Sequence, residues 1–199
     1  AIFTKSGLIT FNGQTPSIRL DKGDKVLLKD SFSFRDTLEL LKSDQQWGER
    51  PFKNNPYFPR TVSSGFSSGI SIGGNLDTFV HLVGTPYFPE DVSRFIFFFE
   101  DVHKDGTDIS RELLHLQLAG FLKNVSGIII GEFAEQPKNV ASKVPSIEDI
   151  IIEYCANGPP CSYGYSFSHG PITSPIPIGA QTKINAGTGE VFFDFKMSP

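Results

Sequence analysis

Glu100 and His169 are the residues whose types and settings could carry acid–base chemistry. Glu100 closes the apolar run Phe95-Ile96-Phe97-Phe98-Phe99 and is followed by Asp101-Val102. Such a run reads as a buried strand delivering a carboxylate to one edge of a sheet. His169 stands in Phe167-Ser168-His169-Gly170-Pro171, a loop-forming context, and loops commonly mount catalytic groups. An acid that orients an imidazole, and an imidazole that takes a proton from a hydroxyl, are two members of a hydrolytic triad. The same residues also read as a surface acid ending a strand and a turn histidine bonded to nearby backbone. Residue type alone favours that plainer reading.

A nucleophile is harder to find. Gly65-Phe66-Ser67-Ser68-Gly69 matches the Gly-x-Ser-x-Gly elbow, and the order Ser67, Glu100, His169 is that of an α/β-hydrolase. The elbow needs a buried strand before the serine and a helix directly after it. Pro59-Arg60-Thr61-Val62-Ser63-Ser64 is too polar for that strand, and after Ser67 no helix signal appears until Leu76. Ser67 therefore stays an alternative, as the nucleophile of a self-contained hydrolase. A non-catalytic module binding a peptide or glycan through the aromatic loop around Trp47 is another.

Other chemistries have weaker support. His81, His103 and His115 show no metal-ligand spacing, so no metal is expected, and no cofactor. Gly73-Gly74-Asn75 before a helix could offer backbone N–H groups to an anion, or simply pack a turn. Lys104 could attract a substrate carboxylate, although most such lysines are only solvated.

The elements that must position these groups follow from pattern. Gly7 to Phe11 reads as a strand ending at Asn12-Gly13, and Ser33 with Asp36 opens a helix to about Lys42. Residues 44–61 read as a long aromatic loop, and Val62 to Ile72 as a Gly/Ser-rich turn between short strands. Asn75 caps a helix over Leu76–Val83, and Asp108 caps the next, whose Ile109, Leu113, Leu116 and Gly120 share a face. Val125–Gly131 is a second buried strand, and Ser146 caps a helix carrying Ile147, Ile150, Ile151 and Tyr154. A strand near Tyr163–Phe167 precedes the His169 loop. A terminal hairpin pairs Gln181–Asn185 with Glu190–Phe195. Strands interleaved with helices and closed by an antiparallel hairpin make a mixed α/β (α+β) fold.

Composition narrows the partners. At 199 residues with a net charge of −4, nothing suggests nucleic acid or an anionic membrane. No apolar stretch approaches the roughly 20 residues that cross a bilayer, and the start lacks a signal-peptide pattern. The chain opens in mid-pattern without methionine, which suggests a piece of a longer protein. Cys155 and Cys161 flank a turn, and two cysteines in such a chain favour free thiols in a reducing compartment over a disulfide.

Several segments, in order, resemble the serine hydrolase family of LD-carboxypeptidases, which includes the microcin C immunity hydrolases. They are Gly7-Leu8-Ile9-Thr10-Phe11-Asn12-Gly13, Gly69-Ile70-Ser71-Ile72-Gly73-Gly74-Asn75-Leu76, Gly84-Thr85-Pro86-Tyr87 and Phe98-Phe99-Glu100-Asp101-Val102. Gln117-Leu118-Ala119-Gly120, Gly127-Ile128-Ile129-Ile130-Gly131-Glu132-Phe133, Ser168-His169-Gly170-Pro171 and Pro177-Ile178-Gly179-Ala180 complete the set. The resemblance implies a two-domain cytoplasmic peptidase with the serine and its oxyanion-hole donors in an N-terminal domain upstream of residue 1. It also implies a C-terminal swivelling β/β/α-type domain carrying Glu100 and His169. On that basis residues 1–60 are a junction segment with the aromatic loop, and residues 61–199 the C-terminal domain. Implied substrates are murein tetrapeptides, cut at an L,D-peptide bond, or the amide of a microcin C-like peptide-nucleotide. Asn75 and Lys104 then look like polar substrate contacts, Trp47 a stacking wall, and the intact protein a homodimer. The isolated chain is expected to be inactive.

Overall fold

The computed structural model describes residues 2–13, 47–51, 58–137, 143–167, 169 and 173–195. The helix expected from Ser33 to Lys42, half of the 44–61 stretch and the side chain of Trp47 lie outside them. In chain order the strands are Thr10–Asn12 (β1), Trp47–Pro51 (β2), Arg60–Ser63 (β3), Phe66–Asn75 (β4) and Phe95–Val102 (β5). Gly127–Ala134 (β6), Cys161–Tyr165 (β7), Ile176–Ile178 (β8), Gln181–Asn185 (β9) and Glu190–Phe195 (β10) follow. The helices are Ile2–Ser6 (α1), Leu76–Val80 (α2), Gly106–Leu118 (α3), Phe121–Asn124 (α4) and Ile147–Cys155 (α5).

One mixed sheet of order β2-β10-β9-β4-β5-β6-β7-β3 holds the molecule together, and β1 pairs separately with β8. Its centre, β4 to β7, is parallel, with helices in each connection. The continuous apolar runs of β5 and β6 suit that place, because a parallel sheet is covered on both faces. The sheet becomes antiparallel at its flanks, where β9 and β10 form the expected terminal hairpin. The fold is thus the mixed α and β architecture that the alternating patterns imply.

Side chains of β5 alternate between two cores. Phe95, Phe97 and Phe99 join the helices in a core with Ile109, Leu113, Leu116 and Ile151. Ile96 and Phe98 face a second core with Ile129, Tyr165, Phe167, Ile176 and Ile184. Glu100, next in the alternation, lies on the second side and Asp101 on the first.

Several boundaries differ from the expectation. Most of the Gly/Ser-rich stretch is strand rather than turn: only Ser64 and Gly65 separate β3 from β4, which runs for ten residues. Parallel pairing brings β4 so close to β5 that a Cβ at Gly73 would meet the Phe98 carbonyl oxygen at 1.7 Å. Glycine is needed there for proximity, and the φ of +149° reinforces it. Helix α2 ends at Val80, before the expected Val83, although Asn75 does cap it through Thr78 N. Asp105, rather than Asp108, is the N-cap of α3; Asp108 is the other half of a reciprocal capping box. Strand β1 is only three residues long, β6 extends to Ala134, and β7 stops at Tyr165. Cys155 and Cys161 are free and buried. Among the described residues, no helix is long and apolar enough to cross a membrane.

Candidate active site

The carboxyl ends of parallel strands form the usual crevice of an open sheet, and Glu100 sits near the end of β5. Its side chain is 4% exposed, and its Oε2 lies 2.8 Å from His169 Nδ1. The imidazole is 54% exposed, so one face of this pair is buried and the other open. Burial raises the pKa of the Glu100 carboxyl. The hydrogen bonding and charge of His169 oppose that rise, and the charge of neighbouring Asp101 adds to it.

Packing of the second core fixes His169. Its loop leaves β7 through Tyr165 and Phe167 and is closed by a bridge between Phe167 and Thr173. Phe167 is buried, packs edge-on against Phe98 at 5.8 Å between ring centroids, and stacks with Tyr165 at 6.0 Å. The Tyr165 hydroxyl donates to the Gly189 carbonyl at 3.1 Å, tying this base to the terminal hairpin. Gly131 makes room for the arrangement. A Cβ there would stand 2.8 Å from Phe167 Cε2 and 3.0 Å from Glu100 Cβ. The ladders on both sides of Gly131 shift register, at Glu100 on one side and at Gly164, just before its partner Tyr165, on the other. Bulges of this kind re-aim side chains beside functional sites.

Asp101 faces the other way and serves architecture. It accepts from Asn75 Nδ2 at 2.9 Å, from Asp77 N at 3.0 Å and from its neighbour Val102 N at 2.7 Å. Asn75 is the register partner of Glu100 across β4 and β5. Its side chain is engaged in capping α2 and in the bond to Asp101. Lys104 lies beyond the end of β5, bonded to Glu112 Oε1 at 2.9 Å and 3.2 Å from Asp77 Oδ2. Trp47 belongs to β2 at the sheet edge, with β10, β9 and β4 between it and β5.

The structure thus brings Glu100 and His169 into contact and sets Asn75 and Lys104 at the same end of the sheet. It separates Ser67. Ser67 lies inside β4, where its hydroxyl donates to the Ser126 carbonyl at 2.7 Å. Eight residue steps of extended strand separate it from Asn75, on the order of 26 Å. That is neither an elbow nor within reach of His169. Among the described residues no group of histidine, cysteine and acid side chains could hold a metal ion. His81 and His103 instead lie near Asp77, at 3.9 Å, and Glu135, at 3.3 Å.

Sequence reasoning overlooked Glu112, Gly131 and Phe167. Glu112 had a readable signal: it interrupts the apolar stripe Ile109, Leu113, Leu116 on α3. Gly131 and Phe167 had none, because their importance is a contact between β6 and the segment after β7.

The family model described as the LD-carboxypeptidase C-terminal domain matches residues 68–184. A probable murein peptide carboxypeptidase of Bacillus subtilis is 27% identical over 187 residues, covering 93% of this chain and 56% of the relative. The microcin C7 self-immunity protein MccF of Escherichia coli is 31% identical over 205 residues, covering 92% of this chain and 58% of the relative. The chain therefore spans less than two thirds of the length of either. Among solved structures, muramoyltetrapeptide carboxypeptidase from Oxalobacter formigenes superposes with a TM-score of 0.77 at 24% identity, covering 99% of this chain and 67% of that one. Wild-type MccF without ligand gives a TM-score of 0.81 at 23% identity, covering 98% of this chain and 63% of that one. At those identities the structural likeness speaks for the fold.

Proposed function

This chain belongs to the LD-carboxypeptidase C-terminal domain family, and from that premise we propose that it supplies the acid and base of a serine peptidase. The observation that carries the proposal is the 2.8 Å contact between a buried carboxylate and a half-exposed imidazole. Glu100 bound at Nδ1 holds His169 in the tautomer that keeps the Nε2 lone pair free. Nε2 then takes the proton of a serine hydroxyl as that oxygen attacks the amide carbonyl. The same nitrogen returns the proton to the leaving amine, while Glu100 stabilises the transient imidazolium.

The serine comes from the part of the protein that the relatives possess beyond the matched region. Residues 61–199 then act as the C-terminal domain, residues 1–60 as the junction, and the chain by itself is inactive. Supporting this are the coverage of only 56% and 58% of the two relatives and the remote position of Ser67. Asn75 and Lys104 contact the substrate. The substrate is a murein tetrapeptide cut at an L,D-peptide bond. A microcin C-like peptide-nucleotide is the second reading, favoured by the 31% identity to MccF.

The test is hydrolysis by the intact protein. Release of terminal D-alanine from murein tetrapeptide, abolished by His169→Ala, is the expected result. Cleavage of the peptide-nucleotide alone would select the second reading, and undiminished turnover in His169→Ala would overturn both.

A further inference from the structure

Besides Glu100 and Asp101, a third buried carboxylate lies behind the site and is used by none of the steps above. Glu112 sits in the apolar stripe of α3 with its side chain 10% exposed. Oε1 accepts from Lys104 at 2.9 Å, whereas Oε2 is buried without a hydrogen-bond partner. A buried carboxylate oxygen with no donor is costly while the group is ionised. Its surroundings make ionisation harder still. Asp101 faces it from β5 and Asp77 from α2, and Lys104 is the cation set among these three acids. Helix α5 meets α3 elsewhere, through Tyr154 and Ser110.

Burial works against the Lys104 charge, but the hydrogen bond and charge of Glu112, then Asp77 and Asp101, outweigh it and raise its pKa. The ammonium is therefore permanent, and the proton that comes and goes belongs to Glu112. Burial first, and the charges of Asp101 and Asp77 next, push the Glu112 carboxyl up to about 7 against the pull of Lys104. The Lys104 side chain keeps 22% of its surface exposed, so it faces the buried acid and the outside together.

We propose that Glu112 is a positioning residue for Lys104: ionised it holds the ammonium inward, and on taking a proton it releases the ammonium to a substrate carboxylate. This rests on the reading of Lys104 as a substrate contact. The exchange balances. One proton from solvent goes to Glu112, its ion pair with Lys104 breaks, and Lys104, still 3.2 Å from Asp77, pairs with the incoming carboxylate. Binding of an anionic substrate is then coupled to uptake of one proton above the Glu112 midpoint, and to none below it.

The experiment uses the intact protein between pH 6 and 9. Murein tetrapeptide binding is measured in the His169→Ala background, so that catalysis does not intrude. The dissociation constant should weaken roughly tenfold per pH unit above the midpoint, as one coupled proton requires. Glu112→Gln should flatten that slope, and Glu112→Asp should restore part of it. A merely structural Glu112 would alter stability and leave the slope unchanged. In parallel, the side-chain nitrogen signal of Lys104 is followed by NMR with sodium acetate as the only ligand. In the wild type, acetate should perturb it more at pH 6 than at pH 9, and in Glu112→Gln equally at both. If the tetrapeptide is neither bound nor cleaved but acetate behaves so, the functional reading fails and the Glu112–Lys104 coupling stands. A pH-independent acetate response in the wild type, or a slope that survives Glu112→Gln, overturns the coupling.

Discussion

Oε2 of Glu100 and Nδ1 of His169 meet at 2.8 Å across 69 residues of sequence, one group enclosed and the other open to solvent. If the pair works as proposed, Glu100→Gln in the intact protein should lower kcat by about 10^4-fold, because an amide can hold the imidazole in the wrong tautomer. KM should change little. Steady-state kinetics on murein tetrapeptide checks both parts.

The same carboxyl leaves a mark on stability. Its folded pKa lies above its ordinary value, so the native state keeps the proton to higher pH than the unfolded chain. Stability from this group is complete below the unfolded pKa and declines as pH rises through the folded one. Urea unfolding across pH should show that decline, and Glu100→Gln should lessen it.

Glu112 should produce the larger slope. The unfolded chain releases this proton near 4.5 and the folded protein holds it to about 7. Stability should therefore fall between those values, by up to about 3 kcal/mol. Glu112→Gln should flatten the profile in that window, again by urea unfolding.

Gly131→Ala should injure the site without touching either acid–base group. The added methyl would press on the Phe167 ring and on Glu100 Cβ. Overpacking of this kind costs about 1–3 kcal/mol. Displacing the base of the His169 loop should cost activity beyond the loss of folded protein. Comparing kcat with the folded fraction from circular dichroism separates the two.

Asp101→Ala should do the reverse. It strips acceptors from Asn75, Asp77 N and Val102 N and should destabilise by about 2–4 kcal/mol. Any folded fraction should keep the Glu100–His169 contact and most of its kcat, because Asp101 faces away from the imidazole. Ser67→Ala, by contrast, should leave turnover intact. A fluorophosphonate probe should label the intact protein at a serine other than Ser67.

Much of this was legible from the chain itself. The apolar run before Glu100 fixed both the strand and its place inside the sheet, since only a doubly covered strand tolerates five such residues in a row. The Gly187-Thr188-Gly189 turn fixed the terminal hairpin. What could not be read were contacts between distant segments. Gly69, Gly73 and Gly74 suggested a turn, because glycine's local preference hides its other use, letting two backbones touch. Asp105 and Asp108 both suit an N-cap, and only the reciprocal bonds assign their roles. Glu100 was legible as the acid at the strand end, whereas the role of Asp101 in holding Asn75 and the start of α2 was not, because it depends on contacts between β5 and α2.

That alternation has a further consequence. A one-residue slip of β5 would present Asp101 to the imidazole and turn Glu100 toward the α2 cap, while every phenylalanine changed sides. Misthreaded molecules would then carry a core packed inside out, and proteolysis, which recognises slackness, would remove them.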